Sequence, residues 1–258
     1  MTDKKWLQPL LSTVAVAVVL FIWWLITFRQ WVNPLFVPAP GKVWEAFIQI
    51  WQEGYKNGSL LHHIGASLYR LGVAFALALV TAVPLGLLSG SSVVVRSLLD
   101  PFIEFYRPLP PLAYYTILVL WLGIGDSSKV ALLYLAAFAP LYLSVVAGVR
   151  RVSADRINGA KSLGANRRKL FFHVLLPSAL PEVFTGIRTA VGFGYTTLVA
   201  AEMVAAVSGI GWMVLDASKF LRSDIIFAGI IIMGVIAVAI DALLRWLELR
   251  LVPWSGKE

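Results

Sequence analysis

Apolar and polar positions along this chain fall into long blocks. Predominantly apolar runs occupy residues 10–28, about 68–88, 130–149, about 181–204 and 225–244, with a shorter one at 112–125. Runs of about 20 residues match a helix crossing a hydrocarbon core about 30 Å thick. The pattern predicts an all-α, polytopic membrane protein with six transmembrane helices. The 112–125 run is short for a perpendicular span, so part of the helix before it must dip into the bilayer or be covered by protein. The first run follows Lys4 and Lys5, exceeds the usual signal-peptide core of about 7–15 residues, and leads into Arg29-Gln30-Trp31-Val32-Asn33, which offers no small-x-small cleavage site. It is expected to be a retained helix with its amino end in the cytoplasm.

The blocks between the runs have their own periodicity. Residues 42–52 place Val43, Phe47, Ile50 and Trp51 on one helical face, and residues 96–107 set Arg96, Asp100, Glu104 and Arg107 against Leu98, Phe102 and Phe105. Both are expected as interfacial helices. Within the spans, Ala74, Ala78, Ala82 and Gly86 recur every four residues, as do Gly186, Ala190 and Gly194. Such stripes let helix backbones approach closely in lipid. Pro84 and Pro140 mark expected kinks, Asp126–Lys129 a tight polar turn, and 208–224 a polar excursion before the last span.

Composition agrees with this picture. Of 258 residues, 59% are hydrophobic and 14% charged, and the mean hydropathy is +0.80, a balance foreign to a water-soluble surface. No polar tract is long enough for a separate domain, so residues 1–258 are expected to form a single transmembrane domain. Cysteine is absent, which removes disulfides, thiolate metal sites and cysteine nucleophiles. The net charge of +8 has no aromatic-interleaved basic face of the nucleic-acid kind. It follows topology instead: with the amino end inside, fifteen Lys and Arg fall on the cytoplasmic side, Arg107, Arg188 and Lys257 among them. Six fall outside, Lys129 among them, and Arg70 lies near a span mouth. Both termini are then cytoplasmic.

The longest cytoplasmic loop, 153–177, reads as helix, glycine corner, helix. Ser153 caps a short helix with Asp155 in its first turn, Gly164 takes the left-handed position after it, and Asn166 caps a second helix that Pro177 closes. Arg167, Arg168 and Lys169 occupy that second helix's first turn, where the macrodipole disfavours cations. This local violation points to an anionic lipid surface or acidic partner, or to simple enforcement of topology.

Asn158-Gly159-Ala160, then Gly164, then Val174-Leu175-Leu176-Pro177 resemble the cytoplasmic motif of importer permeases of the ATP-binding-cassette class: E-A-A, three residues, G, nine residues, I-x-L-P. Asn158 stands for the acid, Gly159 for the first small residue and Val174 for isoleucine. The likeness covers nearly the whole chain. Within the class it points to the taurine, sulfonate, nitrate and bicarbonate branch, through 100–129, 198–206 and Pro253-Trp254, with Tyr106–Ala113 the most taurine-like part.

The resemblance implies a binding-protein-dependent, MetI-like fold. It also implies two ATP-binding subunits as partners, a second copy of this chain and an extracytoplasmic substrate-binding protein, all in the inner membrane. Asn158, Gly159, Ala160, Gly164, Val174, Leu176 and Pro177 would form the coupling element that docks in a groove of the ATPase. The chain has no G-x-x-x-x-G-K-[ST], so ATP and Mg belong to the partner and this subunit is not expected to be an enzyme.

Glu202, late in the fifth span and flanked by alanines, is the candidate pathway or gate residue, an outer gate rather than a cradle for an anion; the plain alternative is a hydrogen bond across helices. Arg188 reads as a headgroup anchor. His62, His63 and His173 read as interfacial, with no metal expected, since adjacent His62 and His63 diverge on a helix. A rival reading, a lipid-headgroup enzyme using Asp100, Glu104, Asp155 and His173, lacks an acid/base spacing to support it.

Overall fold

The computed structural model describes residues 7–56 and 58–254, and among them the fold is all-α apart from one isolated bridge between Tyr55 and Gly58. Lys4, Lys5 and Lys257 lie outside the described residues. The helices are α1 (Leu7–Phe28), α2 (Pro40–Glu53), α3 (Leu60–Ser91), α4 (Val93–Tyr106), α5 (Pro111–Leu122), α6 (Asp126–Arg150), α7 (Ala154–Ser162), α8 (Arg167–Leu170), α9 (Leu176–Ala205), α10 (Ile210–Lys219) and α11 (Ser223–Leu251), with a π-helical turn, Phe171–Leu175, between α8 and α9.

Five helices are long and apolar enough to cross a membrane: α1, α3, α6, α11 and the stretch Arg167–Ala205 that includes α9. The run expected as the third span is the 12-residue α5, about 18 Å long at 1.5 Å per residue, and a span there would need α4 as its other half.

The core is a sandwich of α3, α6 and α9, and the small-residue stripes build it. Ala74, Ala78, Ala82 and Ala190 are fully buried, and a Cβ on Gly86 would lie 2.7 Å from the Val145 side chain, one on Gly186 2.4 Å from Ser144 Cβ. The glycines therefore set how closely α6 approaches both neighbours. Without a hydrophobic gain between helices in lipid, this close contact is the main source of cohesion. Many large apolar side chains point outward: Phe102, Phe105, Leu120 and Trp121 are each more than 70% exposed, as an apolar solvent permits.

The structure departs from sequence expectation in four places. First, α3 begins at Leu60, capped by Ser59 accepting from the His62 N–H at 3.2 Å, eight residues before the apolar run. Its polar first half is kept helical by buried partners, and Arg70 is inside the helix at 3% exposure rather than at a mouth. Second, Asp126–Lys129 is the first turn of α6, not a separate turn. Lys129 is buried, its ammonium donating to the carbonyls of Ile124 (2.7 Å) and Gly125 (3.0 Å). Third, α2 buries Val43, Ala46 and Ile50 with Phe47 half-buried beside them, whereas Trp51 is exposed; Trp44, Phe47 and Trp51 stack with centroids 5.5 and 6.4 Å apart. Fourth, Arg107, expected on the charged stripe of the 96–107 helix, lies just past the end of α4 at the α4–α5 break and lines a cavity with Ala136 and Pro140 of α6 and Thr189 of α9.

Candidate functional site

Two places carry unusual chemistry. The first surrounds Glu202, 1% exposed near the end of α9. Its carboxylate accepts from Arg70 Nη1 (2.6 Å), from Ser67 Oγ (2.8 and 3.0 Å to its two oxygens) and from the Gly211 N–H (3.0 Å). Arg70 gives three of its other four N–H groups to Asp126 (Nε, 2.7 Å) and to the Ser208 carbonyl and hydroxyl (2.8 and 2.9 Å).

The start of α10 supplies the remaining donors. Its early N–H groups have no intrahelical partner. Gly209 N–H donates to His63 Nδ1 (3.2 Å), Ile210 N–H to Ser67 Oγ (3.0 Å) and Gly211 N–H to Glu202. Since His63 Nδ1 accepts, its proton sits on Nε2, which donates to the Tyr55 carbonyl at 3.2 Å. Gly209 is at φ +116°, and a Cβ there would lie 2.4 Å from the Glu202 carboxylate oxygens. The run Ser208-Gly209-Ile210-Gly211 is thus shaped to the carboxylate.

A fully buried charge is tolerated only with complete pairing, and here one guanidinium bridges two carboxylates while hydroxyl and backbone groups fill the other valences. The result ties α3, the start of α6, α9 and α10 together. The gap beside Glu202 measures about 10 Å³, room for one water at most.

Glu202 was legible as a buried charge; Ser67, Arg70, Asp126, Gly209 and Gly211 were missed. The signal for Arg70 was present: Ser67, Arg70, Ala74 and Ala78 share the inward stripe of α3.

The second place is the 153–177 segment. Ser153 accepts from the Arg156 N–H (3.4 Å) and Asn166 from the Lys169 N–H (2.8 Å). After α7, Ala165 N–H donates to the Ala160 carbonyl and Gly164 N–H to that of Lys161, with Gly164 at φ +78°, the paired bonds of a Schellman ending. Leu163 stands 90% exposed at the corner. Asn158 and Gly159 are exposed on α7, and Ala160 is half-buried.

The expected closure at Pro177 is corrected. The helix runs on into α9, with Pro177 in the first turn of α9 and the Leu176 N–H reaching back five residues to the Phe171 carbonyl. A wider π turn absorbs the proline's missing donor and ring bulk without a break. Val174 and Leu176 are half-buried in this continuous helix. The Pro177 carbonyl accepts from Trp254 Nε1 at 3.3 Å, and Arg151 pairs with Glu182, so the segment's base is pinned on two sides.

Arg188, expected as a headgroup anchor, lies in ion pairs, 3.2 Å from Asp241 and 3.7 Å from Glu248 of α11. Asp100 accepts from Tyr142 (3.1 Å) and lies 3.8 Å from Arg96. His62 and His63 have ring centroids 5.7 Å apart, and His173 is exposed on the π turn. Among the described residues no three His, Asp or Glu side chains converge on a metal position.

Residues 82–253 match the family described as binding-protein-dependent transport system inner membrane component. The chain belongs to that family. The permease is 45% identical to the taurine transport system permease protein TauC of Escherichia coli, the alignment covering 98% of this chain and 94% of that one. It is 33% identical to the putative aliphatic sulfonates transport permease protein SsuC of Bacillus subtilis (97% and 88% covered) and 32% identical to the nitrate import permease protein NrtB of Synechocystis (95% and 90%). Its fold is similar to a chain of the MetNI methionine ABC transporter, with a TM-score of 0.58 at 16% identity over 72% of this chain and 94% of that one. This permease is therefore a transport subunit rather than an enzyme, and its family implies an ATPase and a substrate-binding protein as partners.

Proposed function

We propose that this permease imports taurine or a closely related small sulfonate, driven by a separate ATPase. The observation carrying the substrate class is the 45% identity with TauC along nearly the full length, against 32–33% for the other sulfonate and nitrate relatives. Nitrate or bicarbonate import is the second reading, supported by the NrtB similarity.

In this reading residues 1–258 form one transmembrane domain in the inner membrane. It has six spans, the third made of α4 and α5 together, with α2 and part of α4 near the interface and both termini cytoplasmic. The chain pairs with a second copy and with two ATPase subunits that bind ATP and Mg, and a binding protein delivers substrate outside. The exposed Leu163 and Gly164 corner, with Asn158, Gly159, Ala160 and the helical base Val174, Leu176 and Pro177, is the docking element. Its pinned base makes it a stiff lever. Glu202 serves an outer gate, holding α10 to α3 in one state, since it is too enclosed to cradle substrate.

Uptake of labelled taurine and nitrate by vesicles carrying the permease with its ATPase and binding protein tests the reading. Taurine uptake that needs ATP and is blocked by excess alkanesulfonate is expected. Nitrate uptake without taurine uptake, or transport that continues without the ATPase, would overturn it.

A further inference from the structure

Four cavities differ in the charge they offer. The 540 Å³ groove between α3 and α6 presents Asp126 as its charged lining group, wrong in sign for an anion. The 260 Å³ groove between α9 and α11 holds Arg188, already paired with Asp241 and Glu248. The gap at Glu202 holds at most a water. The remaining cavity, 390 Å³, lies where the α4–α5 break meets α6 and α9, and its size falls within the range of about 300–1,000 Å³ typical of small-ligand sites.

Its depth follows from helix geometry. Ala136 and Pro140 lie about 15 and 21 Å along α6 from Asp126, and Thr189 about 20 Å along α9 from Leu176, at 1.5 Å per residue. All three are near the middle of a core about 30 Å thick. Unwound backbone between two half-length helices, here Arg107–Pro110, is tolerated at such depth only where it is buried in protein or lines a cavity.

The lining supplies both signs of complementarity. Arg107 has no ion pair among the described residues, so its guanidinium is free for an oxyanion, which it binds with fork geometry. Pro140 has no N–H to give the Ala136 carbonyl four residues before it, and both residues line the cavity. That carbonyl is left a strong acceptor, and Tyr114 and Phe193 line the same cavity, aromatic surroundings that suit an ammonium group. Thr189 also lines the cavity, and with its Oγ1 donating to the Thr185 carbonyl at 2.9 Å its lone pairs are free to accept.

We infer that this cavity is a binding site within the permease for a short aminosulfonate, the sulfonate on Arg107 and the ammonium on the Ala136 carbonyl that Pro140 leaves open. This rests on the sulfonate reading above and adds to it a place and a preference: a zwitterion over a plain alkanesulfonate.

The test is equilibrium dialysis of labelled taurine and ethanesulfonate against the permease–ATPase complex in nanodiscs, with no binding protein present, beside vesicle uptake with it. Saturable taurine binding is expected, weakened roughly 10- to 100-fold by Arg107→Gln and less by Arg107→Lys. Pro140→Ala restores the N–H and should weaken taurine about tenfold while leaving ethanesulfonate unchanged. Because that readout compares two ligands on one variant, a general loss of folding cannot imitate it. Taurine uptake by the wild type without saturable binding to the complex, or Arg107→Gln binding like wild type, overturns the site alone. Absence of any sulfonate uptake overturns the functional reading, and the site falls with it.

Discussion

The Glu202 cluster and the 153–177 segment are opposites built from the same few residue types. Around Glu202 nearly all the strong donors and acceptors are spent inside the chain: Arg70 serves Glu202, Asp126 and Ser208, and the first N–H groups of α10 are taken up by His63, Ser67 and Glu202. In the segment, three cations sit at the wrong end of α8 and Leu163 is 90% exposed. Satisfied valences in a low-dielectric interior resist change, because opening them strands a charge. Unsatisfied ones at a surface leave room for a partner to complete them. The first region is therefore built to resist change, and the second leaves room for a partner, as the coupling role proposed for it requires.

The largest break in that comparison comes from removing the buried anion. Glu202→Ala leaves the Arg70 guanidinium with Asp126 as its one carboxylate partner and three N–H or O–H donors unmet. A loss of about 3–5 kcal/mol is expected, read as a lowered thermal midpoint of the detergent-solubilised chain. Combining Arg70→Leu with Glu202→Leu should recover much of it, since neither charge is then left alone. A wild-type melt for Glu202→Ala would show that the cluster does not hold the helices together.

The opposite signature is expected at Gly164. Its φ of +78° makes a β-branched residue strained, at a cost of about 1–2 kcal/mol, yet a Cβ there meets nothing within 4 Å. The strain falls on an exposed corner away from the α3–α6–α9 core. Gly164→Val should lower the thermal midpoint much less than Glu202→Ala does, while uptake per ATP hydrolysed falls roughly 5- to 150-fold, the range of ordinary coupling energies. Unchanged coupling would remove the segment's proposed role.

How much of this could be read from the chain varies with the physics involved. The long helices and small-residue stripes follow from local periodicity, and the caps at Ser153 and Asn166 from side-chain chemistry next to the helix start. The Glu202 cluster depends on residues from four helices: Ser67 and Glu202 are 135 positions apart, and Gly209 and His63 146 apart. No periodicity links them. Arg70 was misplaced because a lone arginine near an apolar run looks like a flanking charge until its partners are known. The continuation through Pro177 was hidden for another reason, since a π turn has no sequence signature as sharp as the proline it accommodates.

The smallest expected effect lies between the two extremes, at Tyr55 and Asp216. Asp216 of α10 accepts from the Tyr55 hydroxyl (2.9 Å) and from Lys56 (2.5 Å), while the Tyr55 carbonyl accepts from His63. The pair is the outer margin of the Glu202 cluster. Burial, then the bond to Asp216, pushes the Tyr55 hydroxyl up to about 12. Burial would raise Asp216, but the Lys56 and Tyr55 hydrogen bonds outweigh it and hold the carboxyl below its ordinary range.

The signs run opposite ways. A raised tyrosine contributes stability that is whole below its unfolded value of about 10 and is lost as pH climbs through about 12. A depressed aspartate contributes stability that is present above about 4 and is lost as pH falls through its lower folded value. Between those limits the thermal midpoint should be level in pH. Tyr55→Phe should cost about 1 kcal/mol across that plateau, abolish this tyrosine's share of the alkaline decline, and shrink the acid limb without removing it, since Lys56 still holds Asp216 down. If the alkaline limb survives the substitution undiminished, Tyr55 is not what titrates there. The margin of the cluster would then be held by Lys56 alone.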